Sequence, residues 1–248
     1  MLKIVNWFLK FFRLKLIQPG KRTVPVDLEE EFGEIHRKAQ AYSMVSPERL
    51  YATYQAIKYV EDNQIEGDVV ECGVWKGGNS MVMALTLLKC NSRNRDIYLY
   101  DTFEGMAEPG EKDVDFSGHH SRNEWQKHQT TEVNTWCYSP LEEVKQNMIS
   151  TGYPVEKIHF IKGMVEETIP DTMPGKIAVL RLDTDWYEST VHELRHLFPR
   201  IADRGVLLFD DYGHWKGQRE AVDGYFHDKF KPLLSRTDYS GRMMIKLD

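Results

Sequence analysis

KIAVLRLDTDWYESTVHELRHLFPRIADRGVLLFDD, residues 176–211, decides the architecture. Residues 176–182 are nearly all apolar and read as a buried strand, despite one arginine at Arg181. Residues 187–201 carry apolar side chains at helical spacing, and 205–210 form a second apolar strand. A strand, a helix and a strand in so short a span make a βαβ unit, whose strands lie parallel. Working towards the N-terminus, helix 140–151 and strand 157–162 repeat the alternation, as do strand Asp68–Cys72, helix 79–90 and strand Ile97–Asp101. Towards the C-terminus come helix 217–228 and a last strand near 242–247. Ser46-Pro47-Glu48 is a helix start, with Ser46 as N-cap and Pro47 at the first helical position, followed by Leu50, Tyr54, Ile57 and Val60 on one buried face. The acidic stretch Asp27–Glu34 reads as a short solvated helix. The expected fold is α/β, a mostly parallel sheet with helices on both faces, in one domain over residues 31–248.

Composition narrows the function. The chain has 248 residues with 32 Lys+Arg against 38 Asp+Glu, a net charge of −6, so it lacks the basic footprint of a nucleic-acid binder. Three cysteines without a CxxC fit neither a disulfide framework nor a zinc site, which points to a reduced, cytoplasmic protein. Residues 1–30 stand apart as an N-terminal extension. Their opening, MLKIVNWFLKFFRLKLIQPGKR, has no acidic residue, and Lys10, Arg13 and Lys15 interrupt it too early for a membrane span. On a helix, Lys3, Asn6, Lys10 and Arg13 share one face, which suits either peripheral membrane contact through residues 1–17 or an arm for a homo-oligomer. Residues 102–139 are polar, with Gly, Pro, His and Trp and no period; a segment of that length in a compact domain is expected to be a lid.

Ligands of open α/β sheets sit beyond the carboxyl ends of the strands. Strand one runs into Glu71-Cys-Gly73-Val-Trp-Lys-Gly77-Gly78-Asn-Ser80, whose glycines allow a tight turn and close backbone approach, although the spacing is not that of a dinucleotide clamp. Asp101 ends strand two, where an acid accepts from ribose hydroxyls, and Glu71 is placed to face an ammonium group. Together they suit a ligand with a ribose and a zwitterionic tail. Asp183, Asp210 and Asp211 end the two strands of the opening unit, and three carboxylates at one rim call for protons or a hard divalent cation such as Mg²⁺. Asp185 is placed to cap the helix that follows.

RLDTDWYEST, LFPR, GVLLFDDYGHW and AVDGYF, preceded in order by VVECGVWKGGNS, YLYDTFEGM and FIKGMVEETIP, resemble the macrocin O-methyltransferase family (TylF/MycF/NovP-like) from about Ser43 to Phe226. The resemblance implies a class I methyltransferase sheet and Mg²⁺-dependent methyl transfer from S-adenosylmethionine to a hydroxyl of a sugar or glycosylated small molecule. By position, Glu71, Gly73, Gly77 and Ser80 would hold the methionine part, Asp101 the ribose with Thr102 and Phe103 beside it, and Gly163 and Met164 the adenine. Asp183, Asp210 and Asp211 would bind the metal, with Asp183 also the expected general base; His119 and His120 in the lid are a lesser candidate for acceptor contact or base. Two other classes stay open at this point. The Asp183-Thr184-Asp185 triplet also fits a metal-dependent glycosyltransferase, and the basic N-terminus fits a non-catalytic partner-binding protein on the same fold.

Overall fold

The computed structural model describes residues 27–247. The expected N-terminal amphipathic segment therefore lies outside the described residues. In chain order the elements are α1 (Glu30–Ala39), α2 (Pro47–Asp62), β1 (Asp68–Cys72), α3 (Gly78–Lys89), β2 (Ile97–Asp101), α4 (Arg122–His128), α5 (Leu141–Ile149), β3 (Ile158–Lys162), α6 (Val165–Thr168), β4 (Ile177–Leu182), α7 (Tyr187–Leu197), β5 (Ile201–Phe209), α8 (Lys216–Phe226), β6 (Ser235–Arg236) and β7 (Arg242–Ile245). Ser46 caps α2 as expected, its side chain accepting from the Arg49 N–H at 3.2 Å. The first helix begins later and runs further than the acidic stretch suggested, because Phe32, Ile35 and Ala39 supply a buried face beyond Glu34.

The strands form one sheet in the order β3-β2-β1-β4-β5-β7-β6. The first five are mutually parallel, and β7 runs antiparallel to β5. Strand order reverses between β1 and β4, so their carboxyl ends diverge into the crevice where such sheets bind ligands. Successive strand residues serve opposite layers. Val69, Leu99, Val179 and Leu208 pack with α1, α2 and α3, while Val70, Tyr100, Leu180 and Phe209 pack with α7 and α8. Burial on both faces is why these strands read as continuous apolar runs rather than alternating ones. Among the described residues no helix is long and apolar enough to cross a membrane.

Residues 102–139 are folded onto the strand-end rim. Asp113, 1% exposed, accepts from the N–H groups of Gly110 and Tyr187 at 2.7 and 2.8 Å. Trp186 Nε1 donates to the Ala107 carbonyl at 2.9 Å, and Asp115 pairs with Trp215 in a β-bridge. Trp136, Trp186 and Trp215 pack edge to face beneath this cover, with ring centroids 5.1–6.3 Å apart.

Candidate active site

A cavity of about 430 Å³ opens where the expected crevice lies, at the carboxyl ends of β1, β2, β4 and β5. Its floor depends on one glycine. Gly73 has φ +82°, and a Cβ there would overlap the Asp183 carbonyl and come within 2.6 Å of its carbon. The turn after β1 can therefore close over β4 only without a side chain. Asp183 N–H donates back to the Cys72 carbonyl at 2.8 Å.

Asp101 pins the same turn. Its Oδ2 accepts from the N–H groups of Val74 and Trp75 at 2.7 and 3.0 Å, and Oδ1 from Phe103 at 2.7 Å. A carboxylate offers about four acceptor positions, and these backbone bonds fill most of them. Glu71 is more fully committed. At 1% exposure it accepts from Asn79 Nδ2 at 3.0 Å, from Arg181 Nη1 at 2.6 Å, and from Ser80 Oγ. Burial pushes its carboxyl up, against the pull of Arg181.

Arg181 is the centre of the site. It sits beside Glu71 in the sheet register. Its guanidinium donates to Glu71, to Asp183 Oδ2 at 2.7 Å and to Asp210 Oδ1. Burial opposes that charge, but the three carboxylates outweigh it and hold the guanidinium protonated. On the far side Arg49, from α2, bonds Asp210 Oδ2 and reaches Asp238 at 3.0 Å. Asp210 thus has a guanidinium on each oxygen.

The acids that converge are Asp183, Asp185 and Asp211, with one oxygen of each within 4.8 Å of the others. This changes the expected trio. Asp210 stands beside the cluster, turned to its two arginines, and Asp185 takes its place. Asp185 does not cap α7: the helix begins after Trp186 with no side-chain cap, and Asp185 itself adopts φ +66°. That left-handed turn, which Asp tolerates better than most residues, carries it back to the rim. Burial raises all three carboxyls, and their mutual charge adds to it; Asp185 is pushed up to about 7, while Arg181 pulls against the rise at Asp183. Asp211 Oδ2 is buried with no hydrogen-bond partner. An orphaned carboxylate oxygen beside two further acids is a donor set for a hard divalent cation.

Of the residues expected around a donor, Glu71, Gly73, Asp101, Thr102, Gly163 and Met164 line the cavity. Gly77, Ser80 and Phe103 do not. Gly77 supplies the φ +85° turn into α3, Ser80 braces Glu71, and Phe103 is core. His119 and His120 are also outside it: His119 is bonded to Ser117 and Asp115 on the surface, and His120 Nδ1 accepts from the Arg122 N–H. His214, Tyr239 and Trp136 line the cavity instead and had no sequence pattern to mark them. Arg181 did carry one, a charge inside an apolar strand, which is tolerated only with buried partners.

Comparison with known proteins gives the family and the fold. The profile of the macrocin-O-methyltransferase (TylF) family matches residues 17–243. The chain is 35% identical over 185 residues, covering 75% of it and 67% of the relative, to the 8-demethyl-8-(2,3-dimethoxy-alpha-L-rhamnosyl)-tetracenomycin-C 4'-O-methyltransferase of Streptomyces olivaceus. It is 32% identical over 187 residues, 75% of the chain and 68% of the relative, to the demethyldecarbamoylnovobiocin O-methyltransferase of Streptomyces niveus. The solved structure of the O-methyltransferase NovP superposes with a TM-score of 0.72 at 27% identity, covering 84% of this chain and 83% of that one. The chain therefore has the class I methyltransferase fold, belongs to the macrocin-O-methyltransferase (TylF) family, and is an O-methyltransferase.

Proposed function

We propose that the protein transfers a methyl group from S-adenosylmethionine to a hydroxyl of a sugar or glycosylated small molecule, with a divalent cation, Mg²⁺, held by the acid cluster. The observation that carries this reading is the single cavity lining that joins Asp101 and the Gly73 turn to Asp183, Asp185 and Asp211. A nucleoside site and an oxygen-donor cation site then open onto one space. The relatives named for methylating a rhamnosyl-tetracenomycin and a novobiocin precursor support a glycosylated acceptor.

Asp183 and Asp211 are the residues to hold the cation, through the Asp183 oxygen turned away from Arg181 and the orphaned Asp211 Oδ2. When bound, the cation would lower the cost of developing negative charge on the acceptor oxygen. Asp210 keeps Arg49 and Arg181 in place behind them. The base role moves from Asp183 to Asp185. Asp183 gives one oxygen to the Arg181 guanidinium and the other to the cation, which leaves neither free for the hydroxyl proton, whereas Asp185 has no guanidinium partner. The acceptor hydroxyl loses its proton to Asp185 as its oxygen forms a bond to the methyl carbon and the carbon–sulfur bond breaks. S-adenosylhomocysteine and a methyl ether are the products. The Asp183-Thr184-Asp185 triplet thus serves cation and base rather than a nucleotide-sugar diphosphate. The folded cover over residues 102–139, with its tryptophan cluster, keeps water from the sulfonium.

The test measures Mn²⁺ binding by its paramagnetic signal, and transfer of labelled methyl from S-adenosylmethionine into a panel of glycosides. Asp183→Asn with Asp211→Asn should abolish ion binding and reduce transfer by about 100-fold or more. Undiminished transfer without ion binding overturns the cation assignment.

A further inference from the structure

Glu193 sits in α7 at 0% exposure and has no part in the chemistry above. Burial pushes its carboxyl far above the usual range. Its Oε2 accepts from Thr184 Oγ1 at 3.2 Å. Among the described residues its Oε1 has no conventional hydrogen-bond partner; the Cys72 thiol beside it is a weak donor. Replacing so lightly bonded a pair by apolar groups of the same shape can be neutral or stabilising, so stability does not account for a carboxyl here. What it touches does.

Thr184 is the first residue of the turn that aims Asp185. Trp186 N–H donates to the Thr184 carbonyl at 2.7 Å, closing a three-residue turn across Asp185, whose φ is +66°. A turn of that hand is rare and strained, and it persists only where the surrounding structure holds both arms. The Trp186 arm is held twice: its indole donates to the Ala107 carbonyl, and its own carbonyl accepts from the Thr190 N–H at 3.0 Å as α7 begins. The Thr184 arm has the bond to Glu193.

We propose that Glu193 is a positioning residue for methyl transfer: through Thr184 Oγ1 it holds the turn that points Asp185 at the acceptor hydroxyl. This role rests on the assignment of the base to Asp185. Transfer of labelled methyl into the glycoside panel is measured at saturating S-adenosylmethionine and Mg²⁺, and calorimetry with S-adenosylhomocysteine gives the folded fraction of each variant. Thr184→Val and Glu193→Leu should each lower kcat by about tenfold, with acceptor KM and S-adenosylhomocysteine affinity within about twofold of wild type. Thr184→Ser, which keeps the hydroxyl and loses the methyl, should recover most of the rate, whereas a packing role predicts the reverse order. The double variant should lose about tenfold rather than about 100-fold, because both changes break one bond. With Asp185→Asn already in place, Thr184→Val should change nothing further. Wild-type turnover in Thr184→Val, a multiplied loss in the double variant, or a further fall on the Asp185→Asn background overturns the role of Glu193. Full turnover by Asp185→Asn alone overturns the base assignment instead, and a wild type that methylates no glycoside overturns the proposed function.

Discussion

Raising the pH from about 5 to about 8 without divalent cations should destabilise the protein, and Mg²⁺ should restore it at the upper end. Burial, and then the charge of Asp183, push the Asp185 carboxyl from an ordinary 3.8 up to about 7. Between those values the folded state keeps a proton that the unfolded chain has released, so stability is greatest below 3.8 and is lost as the pH rises through about 7. At about 1.4 kcal/mol per pH unit the whole gap is worth about 4 kcal/mol. Asp185 keeps some solvent contact, which screens the effect, and about 2 kcal/mol is the expected loss. Asp183 and Asp211 move in the same direction. His196 and His214, whose burial lowers their pKa values, act oppositely as the pH rises towards 6.5. Urea unfolding of wild type and Asp185→Asn, at fixed ionic strength with EDTA or saturating Mg²⁺, separates these contributions. The variant should lack most of the fall. A wild-type profile that matches the variant's refutes the raised carboxyl at Asp185, and one that Mg²⁺ leaves unmoved at about pH 8 refutes the cation held beside it by Asp183 and Asp211.

Gly73→Ala forces a left-handed residue and a Cβ into the Asp183 backbone, so urea unfolding should show a loss of about 3 kcal/mol or more, together with weakened Mn²⁺ binding. Arg181→Met leaves Glu71, Asp183 and Asp210 without their shared counter-charge and should cost about 3–5 kcal/mol near pH 7.5, less at about pH 5 where the acids take up protons; a loss under about 1 kcal/mol contradicts the pairing. Asp185→Asn should lower the turnover of a glycoside acceptor by about 100-fold or more while leaving S-adenosylhomocysteine affinity within about twofold, as a removed base would.

The strand and helix sequence of this protein is legible in one dimension because its signals are local. Apolar runs such as Val206–Phe209 mark doubly buried strands, and Ser46-Pro47 marks a helix start by capping chemistry alone. The rim position of Asp101, Asp183 and Asp211 follows too, since parallel strands present their carboxyl ends at one edge of the sheet. Which acids meet was a different matter. Asp185 reaches the cluster through a single left-handed turn, and Asp210 is drawn aside by Arg49, 161 residues away along the chain. The side-chain partners of Arg181 lie on β1, beyond the end of β4 and beyond the end of β5. Electrostatic pairing of buried charges depends on distances of a few ångströms between segments far apart in sequence. Chain order states which charges exist, and only the packed sheet decides which of them are neighbours.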